Sequence, residues 1–172
     1  MAWNIDTAHS QIGFAVRHMM ISTVRGKFSK FDADVQAELA NVSQARVTAR
    51  IEAASIDTGD EKRDGHLRSA DFLDAEKYPT IEFTSSQVSQ QGSELTVQGL
   101  LKIRGQEHPI TLQGEMVGPG KDPWGNTKLG FSLSGDIDRE QWGLAWNQAL
   151  EAGGVLVAKK VKLELEIQLQ QS

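Results

Sequence analysis

Apolar and polar residues alternate at every second position through most of this chain. Ile12, Phe14, Val16 and His18 fall on one side and Gln11, Gly13, Ala15 and Arg17 on the other. The same period recurs in Val47 to Ala53, Ile81 and Phe83, Leu95 to Ile103, His108 to Met116, Leu129 to Ile137, and Val161 to Leu169. A period of two is the signature of a strand with one dry and one wet face. So many strands with dry faces must bury them against one another. Only one segment, about residues 60–74, reads as helical, too little to cover them from outside. The expectation is therefore an all-β fold: a single-domain (1–172), antiparallel, lipocalin-like barrel of about eight strands, which also removes exposed sheet edges. The short helical segment, with Asp57, Thr58 or Asp60 as its cap and Leu67 and Phe72 facing inward, closes one end.

Departures from the alternation carry information too. Phe28 and Phe31 lie on opposite faces, so both point inward only if the strand slips near Ser29-Lys30; a bulge or sharp bend is predicted there. Turns are predicted at Gln90 to Ser93, Arg104 to Glu107 and Gly118 to Asn126. Asp138 to Gly154, which holds Trp142, Trp146 and the pair Gly153-Gly154, is irregular. Gly99, Gly114, Gly130 and Gly135 interrupt strand patterns, either as bends or by leaving room in the lumen.

Composition narrows the function classes. The net charge of −5 argues against a nucleic-acid partner. The absence of cysteine excludes disulfides, thiolate catalysis and cysteine-ligated metals. No apolar run reaches the roughly 18 residues of a membrane span. The N-terminus has no basic, apolar leader. The expected location is thus cytoplasmic, or periplasmic if a signal segment has been removed.

The chemically active side chains form no recognisable machinery. His9, His18, His66 and His108 show no chelating spacing, so no metal is expected. Arg63, Asp64 and His66 lie close in sequence but lack a nucleophile motif; charged hydrogen bonds tying the helical segment to the barrel explain them better. Trp142 and Trp146 suit either core packing or a lipid's polar end. Pattern alone leaves a filled core and an apolar pocket equally open.

Longer stretches carry a resemblance. Trp3 to Asp6 with His9 to His18, Val24 to Phe28 with Phe31, Ser55 to Gly59, Arg63 to Leu67, Asp71 to Asp74, Tyr78-Pro79 with Ile81 to Phe83, Asp138-Arg139 and the Val161-to-Leu169 strand together resemble the YceI-like family, in order, over essentially the whole chain. The resemblance implies an extended lipocalin-like barrel holding a polyisoprenoid, an isoprenoid quinone-type molecule or another long apolar lipid for carriage or storage. It implies no catalysis, no metal and no cofactor beyond the lipid. A fatty acid or fatty amide is the alternative guest, and an enzyme acting on an isoprenoid through His18, His66 or Asp64 the competing class. A homodimer is left open. The ligand-binding residues expected from the inward faces are Phe14, Val16, His18, Phe28, Phe83, Leu101, Leu112, Met116, Phe131, Leu133, Leu163 and Leu165. Leu67 and Phe72 join them from the capping segment, and Trp142 and Trp146 from the irregular stretch.

Overall fold

The computed structural model describes residues 1–150 and 155–171; Gly153-Gly154 lie outside them. The strands are β1 (Ala2–Ile5), β2 (Gln11–His18), β3 (Ser22–Phe28), β4 (Phe31–Glu38), β5 (Asn41–Glu52), β6 (Ile56–Asp57), β7 (Thr80–Gln91), β8 (Glu94–Ile103), β9 (Gln106–Lys121), β10 (Thr127–Asp138) and β11 (Val157–Gln171). One helix, α1 (Glu61–Arg68), lies between β6 and β7.

These pieces make a closed antiparallel barrel of eight long strands. β1 and β2 run in one direction along the same edge of β11, interrupted by a short 3-10 turn at Thr7–His9. β3 and β4 are likewise two halves of one bent strand, β3 pairing with β2 and β4 with β1 and β5. The ring then continues through β5, β7, β8, β9, β10 and β11 and closes on β1. The bend predicted at Ser29-Lys30 is the break between β3 and β4. There the Ser29 N–H donates to the Ser55 carbonyl at 3.2 Å, and the Lys30 carbonyl accepts from Glu52 at 2.9 Å. That break lets Phe28 line the lumen and Phe31 pack against the main core despite their opposite parity.

A second slip, between Ser85 and Gln87 of β7, does the same for Phe83 and Val88. All three turns are tighter than expected, and Gly92-Ser93 alone connects β7 and β8. Arg104-Gly105 alone connects β8 and β9, both with positive φ, the conformation favoured in two-residue hairpins. β9 runs on through Lys121, so the third turn shrinks to residues 122–126.

The helical segment is a correction. Only Glu61–Arg68 is helical, and residues 69–79 fold back as turns. Asp60 caps the start, accepting from the N–H groups of Lys62 and Arg63 at 3.1 and 3.2 Å. Ser69 stops it: its hydroxyl donates to the His66 carbonyl at 2.5 Å, and its ψ of 173° is extended. The chain then returns under the helix through Leu73 N–H to Leu67 O and Ala75 N–H to Arg68 O.

The strand glycines separate into kinds. A Cβ on Gly114 would lie 1.7 Å from the Ser132 carbonyl oxygen, and one on Gly135 2.5 Å from that of Thr111. These two mark close backbone approaches. Gly99 is a third such approach, with the Thr84 carbonyl oxygen 2.4 Å and the Phe83 ring 2.5 Å from where a Cβ would sit. Gly130 has open space.

Candidate ligand-binding lumen

The barrel encloses a cavity of about 320 Å³, within the range of small-molecule sites. Its lining extends from Trp3, Leu39 and Val42 at one end, past Phe14, Phe28 and Leu133, to Leu67, Phe72 and Leu144 under the helical end. A ten-residue strand such as β8, tilted as barrel strands are, spans roughly 25 Å along the axis. The space is therefore elongated.

Its walls differ. On β7, β8 and β9 the inward residues Ile81, Phe83, Leu95, Val97, Leu101 and Leu112 are all buried in the main core. On β10, β11, β2 and β3 the inward residues Phe131, Leu133, Leu163, Leu165, Phe14 and Phe28 line the same cavity yet are only half-buried. Their polar neighbours in sequence point outward. The surface these apolar side chains leave uncovered faces the lumen.

Charge is nearly absent from the lining. Asp32 contributes, but its carboxylate is held by Arg50 Nη2 at 2.6 Å among exposed groups. Arg139 is the other, 3% exposed. Its guanidinium donates to the carbonyls of Ala158 (2.8 Å), Trp146 (3.1 Å), Val157 (3.1 Å) and Leu144, and lies 5.9 Å from the Phe72 ring centre. Burial pushes its pKa down, opposed by Glu140 and Asp138. With four carbonyls as partners, it staples the chain after β10 across the helical end of the lumen. Reading residue types alone missed this role, because a lone arginine in an irregular stretch carries no pattern.

Most of the expected lining residues are brought together here: Phe14, Val16, Phe28, Leu67, Phe72, Phe83, Leu101, Leu112, Met116, Phe131, Leu133, Leu163 and Leu165. Three stand apart from the lumen. His18 ends β2, opposite Ser22 and Val157. Trp142 is fully buried, its indole N–H donating to the Leu101 carbonyl at 2.8 Å and its ring edge-on to His108. Trp146 lies outside the lining, its ring edge-on to His66 (centroids 4.5 Å apart) and tilted against Phe72 (5.5 Å). The alternation missed Gly26, whose bare position the Phe14 ring occupies.

The candidate acid–base groups are engaged in scaffolding. Asp64, buried, accepts from the Thr58 N–H at 2.9 Å and from the Thr58 hydroxyl at 2.5 Å. Arg63 donates to that hydroxyl oxygen and to the Thr58 carbonyl. Together they clamp the start of α1 to the end of β6. His66 pairs with Asp71 and His9 with Asp6. The Asp6 carboxyl is held below its usual pKa, mainly by the His9 hydrogen bond. Among the described residues no three His, Asp or Glu gather in a metal-binding group.

Residues 3–169 match the YceI-like domain. The chain belongs to the YceI-like family. A UPF0312 protein of Staphylococcus epidermidis is 39% identical over 163 residues, covering 94% of this chain and 93% of that protein. One from Vibrio cholerae is 38% identical over 143 residues, covering 81% and 76%. Among solved structures, a Campylobacter jejuni YceI protein superposes with a TM-score of 0.79 at 30% identity, covering 97% of this chain and 96% of that one. A polyisoprenoid-binding domain from Saccharophagus degradans, described as implicated in plant cell wall breakdown, shares the fold at a TM-score of 0.68 and 12% identity, covering 99% and 98%.

Proposed function

We propose that this YceI-like protein binds one long apolar lipid of the polyisoprenoid class in its lumen and carries or stores it without chemical change. The observation that carries this reading is the half-buried apolar wall of β10, β11, β2 and β3 around an elongated, almost chargeless space. A hydrocarbon guest would cover that wall, whereas a charged guest would lose its hydration without compensation. Each buried CH₂ contributes about 0.8 kcal/mol before ordering costs, so a few tail carbons outweigh a net hydrogen bond of about 1 kcal/mol. Selection by tail length and shape follows. The Saccharophagus degradans neighbour, a polyisoprenoid-binding domain by its description, supports the same class of guest.

The test is solvent extraction of the purified protein followed by mass spectrometry. A stoichiometric prenyl lipid is expected. Empty extracts together with no uptake of added prenyl lipids overturn the reading, and a stoichiometric fatty acid or amide replaces it.

A further inference from the structure

A lipid carrier must meet the surface its cargo comes from, and one hairpin tip carries three consecutive exposed apolar side chains. The β2–β3 turn is Met19-Met20-Ile21, exposed by 45, 55 and 77%. Met19 and Met20 both sit at positive φ, 56° and 64°, a region unfavourable to residues with a Cβ and usually given to Gly or Asn. The backbone there is fixed: Met19 N–H donates to the Leu156 carbonyl at 2.7 Å, Ile21 N–H to that of His18 at 3.3 Å, and Arg17 Nη2 to that of Met20 at 3.3 Å. The turn thus holds large apolar side chains in water, in a conformation that smaller polar residues would adopt with less strain.

Charge is segregated around the same hairpin. Residues 7–31 carry Arg17, Arg25, Lys27 and Lys30 and no carboxylate, in a chain whose net charge is −5. Arg25 is paired with Glu164 of β11. Nearby on the barrel, Lys159 and Lys160 reach Glu140 and Asp136, while Arg17 at the tip has no ion pair among the described residues. The exposed apolar residues of the opposite end, Met1, Leu39, Val117 and Trp124, are spread over the N-terminus and two hairpins and stand among the carboxylates Glu38, Glu115 and Asp122. Immediately behind the Met-Met-Ile tip, Val16 of β2 and Val157 of β11 line the lumen.

We infer that the β2–β3 tip is a membrane-docking device: Met19, Met20 and Ile21 insert into the interfacial layer of an anionic bilayer, steered by Arg17 and the acid-free strands behind it. An apolar tip backed by cations is the chemistry that interfacial binding requires, and the placement beside the lumen sets the cargo's path. The idea rests on the lipid-carrier reading for its purpose, but the contact itself is measured separately.

The experiment is sedimentation of the full-length protein with phosphatidylcholine vesicles, with and without phosphatidylglycerol. Binding that strengthens with phosphatidylglycerol is expected. The triple substitution Met19→Asn, Met20→Gly, Ile21→Ser gives the turn the residues its backbone prefers, so it folds at least as well. It should weaken vesicle binding roughly a hundredfold. Arg17→Gln should weaken binding to the anionic vesicles about fivefold and leave neutral vesicles unaffected. Absence of wild-type binding, or undiminished binding by the triple variant, overturns the inference, as does self-association through the tip in place of vesicle binding. Vesicle binding by a protein that never takes up a prenyl lipid supports the docking contact and removes the cargo reading, so the two failures are distinguishable.

Discussion

The two sides of the barrel are written in the same two-residue period and end in different environments. On β8 every inward position from Leu95 to Ile103 is buried. On β11 the inward positions Val161, Leu163, Leu165 and Ile167 are half-buried. Alternation decides which face a side chain takes. What lies beyond that face depends on where the bends and notches fall. On the dense side Phe83 folds over Gly99 and closes the space between strands. Facing it, Phe14 folds over Gly26 in the same way, yet Phe131, Leu133, Leu163 and Leu165 stay half-buried around the lumen. One side behaves as a protein core and the other as the wall of a binding site.

That contrast can be broken most forcefully at its seam. Gly114 of β9 sits where the dense side meets β10, and any Cβ there collides with the Ser132 backbone. Gly114→Val should cost more than about 4 kcal/mol, read as loss of the folded baseline in urea. Next comes the direct comparison. Leu101→Ala removes a side chain buried in the main core and should cost about 3 kcal/mol. Leu163→Ala removes one that already borders open space, so the lost transfer free energy is smaller, and about 1 kcal/mol is expected. Equal losses in matched urea titrations would mean the two sides are packed alike. Filling the lumen sharpens the contrast from the other direction. Ala33 is small, half-buried and part of the lining. Ala33→Trp should leave the ligand-free protein folded yet abolish the stabilisation a bound lipid gives, about 2 kcal/mol when the lipid stands at about thirty times its Kd.

The sequence made the strands legible because burial on one face leaves a strict trace. It made the β3–β4 bend legible too, since Phe28 and Phe31 cannot both be buried on an unbroken strand. It did not reveal that β1 and β2 serve as one strand, because Trp3 to Ile5 is too short to show a period and its partners, Val35 and Gln171, are distant in the chain. The helix was overextended because Leu67 and Phe72 both face inward, and a turn that folds back presents the same apolar spacing as a further helical turn. The lumen set followed from parity. Trp142 and Trp146 lie where parity gives no guidance, and their neighbours, His108 for one and His66 with Phe72 for the other, come from distant elements. Arg139 was invisible as a staple because its four partners are backbone carbonyls, which leave no mark in sequence.

Acid titration offers the smallest effect and a separate handle on the same comparison. Among the described residues neither side of the barrel buries a carboxylate against the lumen, the lining Asp32 being exposed, so the costs of Leu101→Ala and Leu163→Ala should not change between neutral pH and pH about 3. Carboxylates at the rim behave otherwise. In the β9–β10 turn Asp122 accepts from the Asn126 side chain at 2.8 Å and from the N–H groups of Trp124 and Asn126 at 2.9 Å each. Its pKa is lowered, chiefly by the Asn126 side chain. A carboxyl whose folded pKa lies below its unfolded value of about 3.9 stabilises the fold above that value, and the contribution disappears as pH falls through the folded pKa. Asn126→Ala removes the main cause of the shift, so its destabilisation should be small at pH 7 and fade below pH about 4. Urea titrations at both pH values check this. A deficit that persists unchanged in acid would assign the role of Asn126 to turn geometry, and a wall variant whose cost varies with pH would show charge reaching the lumen.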